Sequence, residues 1–89
     1  MSLKITKHCD ERFSQRVAKT KRMQKFITDA LYLGMGTNEI KHSGLRKELE
    51  KREKEYNAIA KIYRNSVYWF DGETAITVYP LAQKFHGRI

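Results

Sequence analysis

Along residues 6–17, Cys9, Phe13 and Val17 recur every four positions, and His8, Arg12 and Arg16 recur beside them at the same interval. Two parallel stripes offset by one residue describe a helix with a narrow apolar seam. Thr6 stands where an N-cap belongs, and Asp10 and Glu11 lie near the positive end of the helix dipole. A second helix follows, because Met23, Phe26, Ile27, Ala30 and Leu31 match i, i+3, i+4, i+7 and i+8. Gly34 and Gly36 supply its stop signals.

Residues 35–42 read as a loop. Ser43 is placed to cap a third helix from Gly44 to about Tyr56, with Leu45, Leu49 and Tyr56 as its whole apolar content. Its charges pair at i, i+4: Arg46 with Glu50, Glu48 with Arg52, Glu50 with Lys54, Lys51 with Glu55. Each pair contributes only about 0.2–0.5 kcal/mol, as in a solvated helix laid over a domain.

Then the period changes. Residues 58–64, 67–71 and 74–79 are rich in β-branched and aromatic side chains, and Asn65-Ser66 and Asp71-Gly72-Glu73 separate them as turns. Three antiparallel strands in a meander are expected, ending at Pro80, which cannot donate to a ladder. Ile5 and its neighbours can add a fourth, edge strand. Strict alternation along the last strand sets Ile76 and Val78 against Ala75, Thr77 and Tyr79. Trp69 and Phe70 read as core, and the tail 81–89 as loosely held, with Leu81 and Phe85 able to dock. The expected fold is α+β: one domain over 1–89, helical over about 6–56 and a β-meander over about 58–80.

Charge changes this picture most. The 89 residues carry 18 Lys and Arg against 10 Asp and Glu, a net +8. Residues 1–28 hold Lys4, Lys7, Arg12, Arg16, Lys19, Lys21, Arg22 and Lys25 against only Asp10 and Glu11. A field so concentrated suits phosphate backbones or an acidic protein surface. Lys19, Lys21, Arg22 and Lys25 crowd the start of the second helix, where the dipole disfavours cations. A local conflict of this kind points to a use beyond folding.

Several chemistries are excluded. The glycines fit no phosphate loop or dinucleotide fingerprint. His8, His42 and His86 are far apart and have no metal-ligand spacing, so neither a metal nor another cofactor is expected. One cysteine allows no internal disulfide and fits a cytoplasmic protein. Cys9 adjoins His8, but successive helical residues diverge by about 100°, which places Cys9 with Phe13 in the core. No apolar run reaches the roughly 20 residues of a membrane span, and the N-terminus lacks the apolar stretch of a secretory signal.

The His8, Arg12, Arg16 row fits metal-independent RNA cleavage. That reaction needs a group to accept the 2′-hydroxyl proton, another to protonate the leaving oxygen, and cations on phosphorus. Histidine can act as base or acid, and the arginine fork matches phosphate oxygens. A surface His and two surface Arg on an ordinary basic helix give the same spacing. Lys61 and Tyr63 share a face of the first meander strand, where an exposed ring can stack on a base.

The order of landmarks carries a resemblance. Thr6, His8, Arg12 and Arg16, a second helix closing on Gly34, the Ile62-Tyr63-Arg64 segment and Ile76-Thr77-Val78-Tyr79 resemble small bacterial and phage RelE-like proteins. These belong to the barnase, EndoU, colicin and RelE nuclease superfamily. The resemblance implies helices on one face of an antiparallel sheet, with the active site on the open face. It implies His8 as acid or base, Arg12 and Arg16 on phosphate, and Thr77 or Tyr79 in a catalytic position on the last strand.

The expected function is therefore RNA binding, with Lys7, Lys19, Lys21, Arg22, Lys25, Lys61 and Tyr63 as contacts and metal-independent cleavage as its extension. The alternative is a small phage-type inhibitor, for example an anti-CRISPR or other anti-defence protein, bound to an acidic or nucleic-acid-handling surface of a host protein. A homodimer built on the sheet face or third helix is a third reading.

Overall fold

The strand Ser66–Asp71 carries five consecutive buried residues, Ser66 to Phe70, and a strand buried on both faces must lie between two layers. The computed structural model, which describes residues 3–17 and 22–87, places it in the middle of a five-stranded sheet. In chain order the strands are β1 (Lys4–Ile5), β2 (Met35–Gly36), β3 (Ile59–Tyr63), β4 (Ser66–Asp71) and β5 (Thr74–Pro80). Their spatial order is β1-β5-β4-β3-β2, antiparallel except for β1, which runs parallel to β5. The helices are α1 (Lys7–Arg16), α2 (Met23–Leu33) and α3 (Ser43–Tyr56). The class is α+β, helices first and strands last, with the expected meander β3-β4-β5. The strand count is five, because Met35–Gly36, expected to be loop, pairs with Ile62 and Lys61.

Alternation along β4 divides the core. Tyr68 and Phe70 face α1 and α2, where they join Cys9, Phe13, Ile27 and Ala30. Val67 and Trp69 face the other way, onto Leu45 and Leu49 of α3 and onto Leu81. The resemblance implied an open sheet face, and α3 closes that face instead. Each fully buried side chain of this size contributes about 1.5–3 kcal/mol, which outweighs the weak helix propensity of so charged a segment. Two of its expected ion pairs form, Arg46–Glu50 at 3.5 Å and Glu48–Arg52 at 3.1 Å. Glu53 adds a tether absent from the pairing pattern: it accepts from the Thr37 hydroxyl and the Ala60 N–H, both at 3.0 Å.

Several local details depart from expectation. His42, not Ser43, caps α3, its Nδ1 accepting the Leu45 N–H at 3.1 Å. The β3–β4 turn is centred on Arg64-Asn65, one residue earlier than the sequence suggests, with φ of 50° and 62°. The first part of the tail is docked: Leu81 is buried, its N–H donates to the Asn65 carbonyl at 2.8 Å, and Phe85 packs against the α3-side core.

A β-bulge interrupts β5. Trp69 pairs with Thr77 and Phe70 with Ala75, which leaves Ile76 as the extra residue. Strict alternation is broken there: Ala75 and Val78 face α1 and α2, while Ile76 and Tyr79 pack on the α3 side. Thr6 secures the bulge from α1. Its hydroxyl accepts the Cys9 N–H at 3.1 Å as N-cap and donates to the Ile76 carbonyl at 2.9 Å. Among the described residues no helix is long and apolar enough to cross a membrane.

Candidate functional site

On α1 the two stripes are formed as their spacing predicts. Cys9 and Phe13 are fully buried, and this fixes His8 and Arg16 in solvent and Arg12 half-exposed beside them. Lys7 is exposed at the helix start. Arg12 donates to Gln15 Oε1 at 3.4 Å, a weak contact that leaves most of its fork available.

Thr77 and Tyr79 do not join this row. They line a cavity with Trp69, Tyr56 and Arg52 on the α3 side, whereas α1 packs on the opposite sheet face through Cys9 and Phe13. The bulge at Ile76 turns Thr77 to that side, and α3 covers it. The five candidate catalytic residues are thus divided between two layers instead of sharing one cleft. The other histidines belong to the α3 side as well: His42 caps α3 and meets Phe85 edge-on at 4.9 Å, and His86 Nε2 lies 2.9 Å from the Leu81 carbonyl. None of Thr77, Tyr79, His42 and His86 is therefore placed on the α1 face with His8.

Cys9 is not a nucleophile. Burial, reinforced by the Asp10 carboxylate, pushes its thiol from 9.0 up to about 11, so it stays protonated at neutral pH. Burial likewise raises Tyr68 to about 12, with smaller contributions from its neighbours Cys9 and Tyr63. Among the described residues no group of three His, Cys, Asp or Glu side chains could hold a metal ion.

The candidate RNA contacts gather elsewhere, at the corner where α1 ends, α2 begins and the β3–β4 turn rises between strands. Phe13 of α1 meets Phe26 of α2 with ring centroids 6.1 Å apart. Over Phe26 lies the guanidinium of Arg64, 5.0 Å from the ring centroid and 5.6 Å from that of Tyr63. Tyr63 OH reaches Asp29 Oδ2 at 3.5 Å, and Lys25 Nζ lies 3.7 Å from the same oxygen. Arg22 precedes the helix and Arg16 ends α1. Lys19 and Lys21 fall on the link between these helices and lie outside the described residues. Lys61 sits further along β3, next to the α2 terminus, where Gly34 permits close approach: a Cβ there would lie 3.0 Å from the Lys61 Cβ and overlap the Ala30 carbonyl oxygen.

Arg64 is the residue that spacing did not single out. Both central positions of this two-residue turn need left-handed backbone, which suits Asn or Gly, and the chain places arginine at the first of them. An L-residue with a Cβ loses about 1–2 kcal/mol in that conformation. The signal was present in Tyr63-Arg64-Asn65-Ser66, but it becomes visible only when the turn is placed one residue earlier. Cation–π contact with Phe26 and Tyr63 offsets part of the strain, at about 0.5–1 kcal/mol for an exposed pair.

Comparison with family models, curated proteins and solved structures gives no match for this chain, so the RelE-like likeness rests on its landmark residues alone.

Proposed function

We propose that the protein binds single-stranded RNA through the basic aromatic corner formed by Arg16, Arg22, Lys25, Tyr63 and Arg64. The observation that carries this reading is Arg64, an exposed turn residue in left-handed backbone whose guanidinium carbon lies 5.0 Å from the Phe26 ring centroid and 5.6 Å from that of Tyr63. Strained conformations tend to persist where they serve a site. A guanidinium fixed in this way keeps its in-plane N–H donors for phosphate and presents a plane suited to stacking with unpaired bases. The net charge of +8 supplies the long-range attraction.

Binding without cleavage is the function favoured by the arrangement. His8 has no proton-transfer partner from the last strand, since Thr77 and Tyr79 line the cavity under α3. Incubation with short single-stranded RNA in EDTA tests both parts. A shifted complex, weakened steeply by salt and free of cleavage products, is expected. Absence of a complex at low salt overturns the binding reading. Products that disappear in His8→Ala overturn the restriction to binding.

A protein partner is the second reading, favoured by Leu33 (72% exposed) and Tyr32 (53% exposed) at the end of the same α2 helix. Exposed aromatic and aliphatic side chains on a protein of net charge +8 suit an interface with an acidic partner. Stoichiometric copurification of an acidic protein, with no affinity for naked RNA, would favour it.

A further inference from the structure

Beneath α3 lie two adjoining cavities that the RNA-binding corner does not use. The first, about 220 Å³, is walled by Trp69, Tyr56, Ile76 and Thr77. The second, about 350 Å³, extends to Glu48, Lys84 and Phe85, and Arg52 and Tyr79 line both. We infer that this double cleft binds a nucleoside monophosphate, its base in the first chamber and its phosphate between Arg52 and Lys84 in the second.

The first chamber is shaped for a flat ring. Tyr56 stands edge-on to Trp69, with centroids 5.6 Å apart and an interplanar angle of 79°, yet Tyr56 is 60% exposed and adds little to the core. An exposed aromatic held upright beside a buried one offers its free face for stacking. The polar groups converge on the same space. Trp69 Nε1 donates to Tyr79 OH at 3.3 Å, so the tyrosine proton is left to point elsewhere. The Thr77 hydroxyl is turned to this face by the bulge, and bulges commonly re-aim side chains at binding sites. A mostly apolar pocket with a few convergent polar groups is the usual form of a small-molecule site.

The second chamber distinguishes a nucleotide from a simple aromatic ligand. Arg52 at the shared wall and Lys84 beyond it supply two cations within reach of an anion attached to the ring. Glu48 competes, holding Arg52 at 3.1 Å, but both side chains are about half exposed and such pairs open at little cost. The carboxylate therefore acts as a removable occupant of the phosphate position.

The protein has a single tryptophan, and it forms the cleft wall, so its emission reports binding directly. Titration with AMP is expected to change Trp69 fluorescence saturably, with adenosine and inorganic phosphate each at least about tenfold weaker. A 5′-phosphorylated oligoribonucleotide in a parallel titration tells a strand end from a free nucleotide, and saturable response to either supports the site. Tyr56→Ala should weaken binding about tenfold or more through lost stacking, and Glu48→Gln should tighten it. Both substitutions are at exposed positions and spare the core. No change in emission with either ligand, adenosine binding as well as AMP, or an unaltered affinity in Tyr56→Ala would overturn the inference.

Discussion

Thr6 illustrates how much a single residue can hold. One hydroxyl caps α1 and also meets the carbonyl of Ile76, the residue left over by the β5 bulge. Thr6→Val keeps the shape and removes both bonds, so a loss of about 2 kcal/mol in urea unfolding is expected, with Thr6→Ser close to wild type. The cap was legible, because threonine before a helical stripe is a local signal. The second bond was not, since it depends on a bulge seventy residues away. Cys9 was legible as core from its place on the Phe13 stripe, and its environment gives stability a pH dependence. The folded thiol titrates near 11, above its ordinary 9.0, so its stabilising contribution is complete below pH 9 and is lost as pH rises towards 11. Unfolding midpoints should fall between pH 9 and 11, and the fall should be smaller in Cys9→Ala.

At the scale of elements, period and turn chemistry revealed what local physics controls. The helical spacing of Phe13 and Phe26, the Asp71-Gly72 turn and Pro80 gave α1, α2 and the meander. Gly34 was recognised as a stop, but for a different reason from the usual one. Its φ of −68° is ordinary, and glycine is needed because α2 ends against β3, where a Cβ would overlap the Ala30 carbonyl and crowd Lys61. Gly34→Ala should therefore destabilise by about 1–3 kcal/mol, the usual range for forced overpacking, measured as a lower melting temperature. β2 was hidden because two residues between glycine and a 3₁₀ turn carry no period. The role of α3 was also hidden, for its charged surface conceals Leu45, Leu49 and the Glu53 tether. Glu53→Leu removes both acceptors and leaves the Thr37 hydroxyl and the Ala60 N–H without this partner, so a loss of about 1–3 kcal/mol in urea unfolding is expected.

Across the whole molecule, the sheet separates two surfaces that the sequence ran together. His8, Arg12 and Arg16 and the strand residues Thr77 and Tyr79 looked like one site when only their order was known. Layering places the first set beside α2 and the second beneath α3, because a bulge and a covering helix reverse the expected open face. Sequence periodicity specifies which residues are buried on an element, but it carries no information on which element lies over each sheet face. What remains at the α1–α2 end is a concentration of cations around an arginine that lies over aromatic rings, and the proposed RNA binding rests on that corner. The most direct test is the affinity of Arg64→Asn for short single-stranded RNA, measured by fluorescence anisotropy across a salt series. Asparagine accepts left-handed backbone, so relief of strain and loss of the cation–π contact should balance and leave stability within about 1 kcal/mol of wild type. Against that unchanged fold, affinity is expected to fall about tenfold, with the salt slope reduced by about one. An equally stable variant with undiminished affinity and the same salt slope would contradict the account.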